Sequence, residues 1–225
     1  MKKRNTQFWG LVLLGCLFGA QAFAQVNVNM PFNTGVQQTF AITPPNTCSY
    51  NFYDSGGPGG LYLTPSNFTT SVVTFAPSVG TNKINVAFAS YNTEASFDAL
   101  YVRDGATTAD ALIPSANGVP LGSVGVPAGG FWGTTPPNNP ATSGSATAVR
   151  ATAANASGAL TFQFYSDAFV NAAGWEASVT EVLPATCAMT APANITAGTG
   201  AGDTDCAADV VTAVPSFNPA GRVAI

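Results

Sequence analysis

The sequence predicts an all-β protein built as a β-sandwich or jelly roll, and three observations lead to this prediction. Apolar and polar residues alternate with a period of two in several short runs, which is typical of strands with one buried face. Clusters of Gly, Pro, Asn and Thr separate these runs, as turns between strands require. No segment carries a sustained apolar stripe with the helical period, so a helical domain is not expected.

The individual strands follow from the alternation. Three runs alternate most clearly: 83–90, 159–166 and 174–182. In the first of them, Ile84, Val86 and Phe88 share one face. Four further runs are expected to form strands: 36–42, 68–75, 99–103 and 145–151. Short half-buried strands of this kind pair antiparallel and pack as two layers around one core.

The first 24 residues have the pattern of a secretory signal peptide. Three basic residues precede an apolar run at 8–19, and Ala-Phe-Ala at 22–24 has the form of a cleavage site. The apolar run is shorter than the roughly 20 residues that a membrane-spanning helix needs. A second interpretation is a lipoprotein signal, because Leu-Leu-Gly at 13–15 precedes Cys16. We therefore expect a secreted or cell-surface protein that is not inserted in the membrane after cleavage.

The charge balance excludes several classes of function. Without residues 1–24, 201 residues remain with four basic and eleven acidic side chains, a net charge of −7. Nucleic acids and anionic membranes both require a cationic face, so neither is an expected partner. The chain contains no histidine, which excludes a Ser-His-Asp triad and removes the usual zinc ligand. We expect a protein that is not an enzyme.

The composition changes after residue 183. We interpret residues 48–183 as the main domain, 25–47 as a lead-in segment and 184–225 as the start of a second domain. The last segment has one predicted strand, at 210–214, and two cysteines nineteen positions apart. About forty residues with so few strands cannot close a sandwich, so we expect this second domain to be truncated.

Three cysteines remain after removal of the leader, and two pairings are open. Cys48 begins the main domain and Cys187 follows its last strand, so these two would meet if the terminal strands are neighbours. Alternatively, Cys187 pairs with Cys206 and Cys48 stays free. An export compartment permits disulfides, but spacing does not determine their connectivity.

Four ordered blocks in the main domain resemble the CUB domains of secreted and surface proteins from Bacteroidetes-like bacteria. They are FYDSGGPGGLY at 52–62, NVAFASYNTEASFDALYVRDG at 85–105, ASGALTFQF at 156–164, and YSD at 165–167 with AGWEA at 173–177. The resemblance implies a CUB-like jelly-roll sandwich of two antiparallel sheets. Family members often carry a disulfide near positions 76 and 159, and both are alanine here.

The tail is similar to the start of an HYR-type repeat, an immunoglobulin-like adhesive module. The residues that carry this similarity are PANIT at 192–196 and DCAADV at 205–210. The similarity implies an incomplete β-sandwich after the CUB-like domain. Such repeats follow CUB-like units in large surface proteins.

The CUB resemblance also implies a calcium site. Many animal CUB domains bind calcium through a Glu before a strand, an Asp at its start and an Asp in the last inter-strand loop. By resemblance these are Glu94, Asp98 and Asp167. Calcium takes six to eight oxygen ligands and would relieve the repulsion between converging carboxylates. The segment between Glu94 and Asp98 is shorter than in the animal pattern and lacks its cysteine. The alternative is that Asp98 and Asp167 cap turns by local hydrogen bonds.

Four other features of the sequence bear on function. Asp54-Ser55-Gly56-Gly57 indicates a tight glycine turn, because no Lys and no helix follow it as a phosphate-binding loop requires. Asp104-Gly105 indicates a hairpin turn. Trp175 is in register with buried positions and is expected in the core. Trp132 lies in a Gly- and Pro-rich stretch at 104–144, and it is the candidate for an exposed ligand contact such as stacking on a sugar ring.

Together these features favour a non-catalytic extracellular binding or adhesion module of a larger exported bacterial surface protein. Its partner would be an extracellular protein or glycan, and calcium would order its loops. One alternative is an accessory domain of a secreted protease or other hydrolase. Another is a carbohydrate-binding module, since jelly rolls host many of these and the fold does not fix the function.

Overall fold

The computed structural model describes residues 26–35, 38–42 and 50–183. Within them, ten strands and one short helix follow each other along the chain. They are β1 (Asn27–Asn29), β2 (Gln38–Ile42), β3 (Tyr50–Tyr53), β4 (Val72–Pro77), β5 (Lys83–Asn92), β6 (Ala99–Arg103), β7 (Leu112–Ile113), α1 (Pro140–Ser143), β8 (Ala148–Arg150), β9 (Leu160–Tyr165) and β10 (Gly174–Val182).

The strands form two five-stranded sheets, which confirms the all-β prediction. One sheet has the order β1-β3-β10-β5-β8 and the other β2-β4-β9-β6-β7. Most neighbours are antiparallel, as expected, but β1 joins β3 and β2 joins β4 in parallel. The sequence did not indicate these parallel edges. In each pair the chain passes through a strand of the other sheet before it returns: β2 lies between β1 and β3, and β3 lies between β2 and β4. Each connection is therefore long enough for a parallel crossover.

Seven of the eight runs predicted as strands overlap observed strands, and the eighth, at 210–214, lies outside the described residues. The run at 68–75 starts later than expected, at Val72, because a turn precedes it. The Asn67 carbonyl accepts the amides of Thr70 and Ser71 in this turn. Three strands were not predicted: β1, β3 and β7. With two to four residues each, they are too short to show an alternation.

Aromatic rings join the two sheets at the centre of the sandwich. The Phe52 ring centroid lies 5.1 Å from that of Phe75, 5.2 Å from that of Phe162 and 5.5 Å from that of Trp175. All four side chains are buried, so the expected core position of Trp175 is confirmed. Edge-on and tilted contacts of this kind stabilise a core beyond simple burial.

The turn predicted from Asp-Ser-Gly-Gly is present, whereas Asp-Gly opens an eight-residue connection between β6 and β7 and is not itself the tight hairpin turn that was predicted. In the Asp-Ser-Gly-Gly turn, the Gly57 amide donates to the Asp54 carbonyl at 3.2 Å. Asp104 follows β6 and its amide donates to the carbonyl of Ala111, which closes the β6–β7 connection. The Asp104 carboxylate accepts hydrogen bonds from Thr152 and Asn155 and takes no part in the acidic cluster described below.

Several predictions concern residues outside those described: the signal peptide at 1–24, lipidation at Cys16, the Cys48–Cys187 pairing and the segment 184–225. The described part of the lead-in segment contributes β1 and β2, one edge strand to each sheet. In the same part of the chain, no helix has the length and apolar character needed to cross a membrane.

Candidate metal centre

Three carboxylates from two loops converge at one end of the sandwich. Glu94 and Asp98 belong to the loop between β5 and β6, and Asp167 belongs to the loop between β9 and β10. One carboxylate oxygen from each residue lies within 4.8 Å of those from the other two. The structure therefore brings together all three residues named as metal ligands from the sequence.

The β5–β6 loop is a single tight turn that places Glu94 near Asp98. The Glu94 carbonyl accepts the amides of Phe97 at 3.3 Å and Asp98 at 3.0 Å. The Thr93 hydroxyl donates to the Asp98 carbonyl at 3.0 Å and closes the base of the turn. Asp98 immediately precedes β6, so its carboxylate is fixed by a strand on one side and by the turn on the other.

Asp98 is completely buried and connects three segments of the chain. Its Oδ2 accepts a hydrogen bond from the Tyr62 hydroxyl at 2.5 Å, and its Oδ1 accepts the Asp167 amide at 2.8 Å. Asp167 in turn caps its own loop, because its Oδ1 accepts the Phe169 amide at 2.9 Å. Local capping is thus present for Asp167, whereas the hydrogen bonds of the Asp98 carboxylate come from residues 36 and 69 positions away and do not cap a local turn. These bonds do not exclude a metal, since each carboxylate oxygen has a second lone pair.

Glu94 differs from both aspartates because no hydrogen bond from residues 26–35, 38–42 or 50–183 holds its carboxylate. Its Oε2 is shielded from solvent and has no hydrogen-bond partner among the described residues. A shielded, unpaired carboxylate oxygen is unfavourable unless a cation or a donor compensates it. An orphaned carboxylate oxygen beside two further carboxylates is a donor set that would suit a hard cation.

The basic side chains of the described residues bond elsewhere. Lys83 donates to the Asn155 carbonyl, Arg103 to Gln163 and Arg150 to Asn85. None of these contacts brings a positive charge to the cluster. Its negative charge is therefore not neutralised by an ion pair within the described part of the chain.

Burial and mutual repulsion shift the acidity of the cluster. Burial raises the pKa of Asp98 from 3.8 to about 6, and the charges of Asp167 and Glu94 add to the rise. Hydrogen bonds from Tyr62 and from the Asp167 amide act in the opposite direction. The pKa of Glu94 is raised as well, by burial and by the charge of Asp167. The ionised cluster is thus unfavourable by itself, and a divalent cation would stabilise it.

Tyr62 is a site residue that the sequence analysis missed. It is fully buried, and besides its bond to Asp98 its hydroxyl accepts the Glu94 amide at 3.1 Å. Its own amide donates to the Ala172 carbonyl, which ties the segment around residue 62 to the β9–β10 loop. Tyr62 closes one of the four blocks that resemble the CUB family, and that position was the only signal in the sequence.

Exposed apolar side chains lie on the two segments that border the cluster. Phe169 is 84% exposed and Leu61 56% exposed. Val170 and Leu63 are also exposed, although less than Leu61. A depression of about 720 Å³, lined by Asp167, Phe68 and Val124 among others, adjoins the same loop. Exposed apolar groups beside a recessed polar site are typical of a contact surface.

Trp132 lies outside the acidic cluster. Its half-buried ring packs against a small buried group formed by Ala99, Tyr101 and Val126. It also borders a separate depression, of about 490 Å³.

No protein-family model matches the chain, and no curated protein is similar enough to it to count as a match.

Proposed function

We propose that the chain carries a CUB-like, non-catalytic extracellular binding module of an exported bacterial surface protein, and that calcium orders the binding end of its sandwich. The observation that carries this proposal is the convergence of Glu94, Asp98 and Asp167 from two loops, with all three oxygens within 4.8 Å. Calcium suits this site because it prefers carboxylate oxygens and tolerates irregular geometry. Its remaining ligands would be backbone carbonyls or water.

Calcium would act here as a clamp between two loops. Without a cation, the β5–β6 and β9–β10 loops are joined at the cluster by the Asp98–Asp167 hydrogen bond. A cation shared by Glu94, Asp98 and Asp167 would add bonds across the same gap and remove the repulsion. The loop that carries Phe169 would then be held in one conformation. An ordered apolar surface binds a partner with less loss of conformational entropy.

The arrangement of strands supports the CUB resemblance. Phe75 of β4 pairs with Leu160 of β9, and Ala76 and Ala159 stand next to this pair in the chain. These are the two positions where family members often carry a disulfide. Their proximity across the β4–β9 ladder agrees with that feature of the family and favours the proposed relationship.

Calcium titration with two variants tests the proposal. Glu94→Gln and Asp167→Asn each remove one charge from the cluster, and Glu176→Gln removes one charge from the exposed face of β10 as a control. We expect wild type and Glu176→Gln to bind calcium at up to millimolar concentrations and to unfold at a higher temperature when it is present. Glu94→Gln should weaken binding about tenfold or more.

Glu94→Gln is the most informative variant because the Glu94 carboxylate has no hydrogen bond to lose among the described residues. Its unfolding temperature in EDTA should equal or exceed that of wild type. If wild type shows neither heat of binding nor thermal stabilisation at millimolar calcium, the proposal is wrong. It also fails if Glu176→Gln impairs calcium binding as much as Glu94→Gln does.

A further inference from the structure

We propose that the depression beside Trp132 is a binding groove for a neutral glycan. This inference rests on the proposed role of the chain as a binding module, although it does not require calcium. The groove has a volume of about 490 Å³. Two stretches of chain form its walls, residues 114–117 and 131–138.

The groove carries no charge. Its lining consists of Pro114, Ser115, Ala116, Asn117, Phe131, Trp132, Gly133, Thr134, Thr135 and Asn138. None of these side chains is ionisable, whereas the depression next to the acidic cluster includes Asp167. An acidic or basic ligand would lose hydration here without gaining a partner of opposite charge. The lining therefore selects for a neutral polar ligand.

The first wall is rigid because it is bonded to the chain behind it. The Ser115 amide donates to the Gly129 carbonyl at 2.8 Å, and the Gly129 amide donates to the Asn117 carbonyl at 2.9 Å. The Ser115 hydroxyl and the Asn117 side-chain amide both donate to the Gly130 carbonyl, at 2.6 and 2.9 Å. A groove with fixed walls needs little ordering when it binds a ligand.

The second wall holds Trp132 between two anchored neighbours. Phe131 exchanges two backbone hydrogen bonds with Leu100, at 3.0 and 2.9 Å. On the other side, the Gly133 carbonyl accepts the Thr93 amide at 3.0 Å. With its backbone fixed on both sides and its ring half-buried, Trp132 presents the remaining part of the ring to the groove.

Polar groups around the ring are available for hydroxyl groups of a ligand. Asn138 uses its Nδ2 to bond the Pro136 carbonyl, and no donor among the described residues reaches its Oδ1. The same holds for Oδ1 of Asn117, whose Nδ2 bonds Gly130. Thr134 and Thr135 are exposed. A sugar ring has an apolar C–H face and a rim of hydroxyls, so it matches an aromatic surface surrounded by amides and hydroxyls.

Binding to immobilised neutral oligosaccharides tests the inference. The full chain would be applied to a panel built from glucose, galactose, mannose and N-acetylglucosamine, beside sialylated and sulfated glycans. The variants are Trp132→Ala, Asn138→Ala at the rim, and Phe32→Ala as a partly exposed aromatic outside both the groove and the acidic-cluster end. We expect wild type and Phe32→Ala to bind at least one neutral oligosaccharide. Trp132→Ala should lose about tenfold or more in affinity, and Asn138→Ala about threefold or more.

The outcomes separate this inference from the calcium proposal. If no neutral oligosaccharide binds while calcium titration still shows a site, the glycan inference is wrong and the calcium proposal stands. If Glu94→Gln loses calcium but keeps saccharide binding, both are supported and independent. The glycan inference is wrong if the protein binds acidic glycans alone. It is also wrong if saccharide binding is unchanged in both Trp132→Ala and Asn138→Ala. Should Trp132→Ala unfold, Asn138→Ala decides the question.

Discussion

At the scale of single residues, two buried carboxyls should make the free energy of unfolding depend on pH. Asp54 is almost completely buried where β3 ends, and its oxygens accept the amides of Gly56 at 2.7 Å and Trp175 at 3.1 Å. Burial raises the pKa of Asp54 to about 6 despite these bonds, and Asp98 is shifted to about the same value. In the folded chain both groups therefore bind protons more readily than in the unfolded chain.

We expect the calcium-free protein to become more stable as the pH falls from about 7 to about 5. Between about 4 and about 6 the folded chain binds more protons than the unfolded chain, so the free energy of unfolding falls as the pH rises through this window. Thermal unfolding in EDTA at both pH values measures the effect. The gain should be smaller in Asp54→Asn. A calcium-free wild type that is less stable at about pH 5 than at about pH 7 would contradict the assignment.

The same shifts predict that protons and calcium compete. Calcium binds the ionised carboxylates, so its stabilisation of the fold should be larger at about pH 7 than at about pH 5. The comparison requires the same unfolding experiment with calcium added. Equal stabilisation at both pH values would mean that the ion binds away from Asp98.

Sequence reasoning found the acidic residues but not the chemistry that surrounds them. Glu94, Asp98 and Asp167 were named through a family resemblance, and their separation of up to seventy-three positions gave no independent reason to bring them together. The Tyr62 hydroxyl and the orphaned oxygen of Glu94 were not foreseen. Both depend on how the two sheets pack, which no local pattern contains.

At the scale of elements, a glycine at the start of β10 allows the buried carboxylate of Asp54 to fit. Gly174 has φ +66°, and a Cβ atom on it would lie 1.9 Å from Asp54 Oδ2. Gly122 has a similar φ, +73°, with nothing within 4 Å of the corresponding position. Both glycines have a left-handed backbone, but a Cβ atom would meet the Asp54 carboxylate at Gly174 and open space at Gly122.

Alanine at each glycine separates these two effects. Gly122→Ala should destabilise the fold by about 1 kcal/mol, the typical penalty for a left-handed backbone. Gly174→Ala should destabilise it by at least about 2 kcal/mol more, because the Asp54 carboxylate must move and lose a hydrogen bond. Urea unfolding of both variants provides the measurement. Similar losses in the two would show that the carboxylate adapts without consequence.

Strands were predictable where they were long enough for alternation to show. The patterns of β5, β9 and β10 identified them, and the Asp-Gly pair indicated that the chain turns after β6. The parallel pairings of β1 with β3 and of β2 with β4 were not predictable. The direction of an edge strand depends on the route of the chain between the sheets. Alternation reports which face is buried and carries no information on that route.

For the molecule as a whole, stability depends on the aromatic contacts between the two sheets. Phe162 of β9 lies 5.2 Å from Phe52 of β3 and 6.0 Å from Phe75 of β4, measured between ring centroids. It is fully buried. Rings from three strands meet here, and the contact between Phe162 and Phe52 connects the two sheets.

Phe162→Ala should therefore destabilise the whole fold by about 3 to 5 kcal/mol. Phe169→Ala is the matched control, because the same atoms are removed from a side chain that is 84% exposed. Its effect should stay within about 0.5 kcal/mol. Urea unfolding gives both values. A loss under about 1 kcal/mol for Phe162→Ala would mean that the two sheets do not depend on this contact.

The position of β10 has a mechanical consequence. This strand is hydrogen-bonded on both sides, to β3 and to β5, and it runs from the acidic-cluster end at Gly174 to the opposite end at Val182. A tensile force applied to the chain at Val182 would load both ladders in shear along a strand of about 30 Å. Many hydrogen bonds would share that force before it reached the loops of Asp98 and Asp167. If a partner binds at those loops, as proposed above, it would contact the end of the sandwich that is farthest from the applied force at Val182.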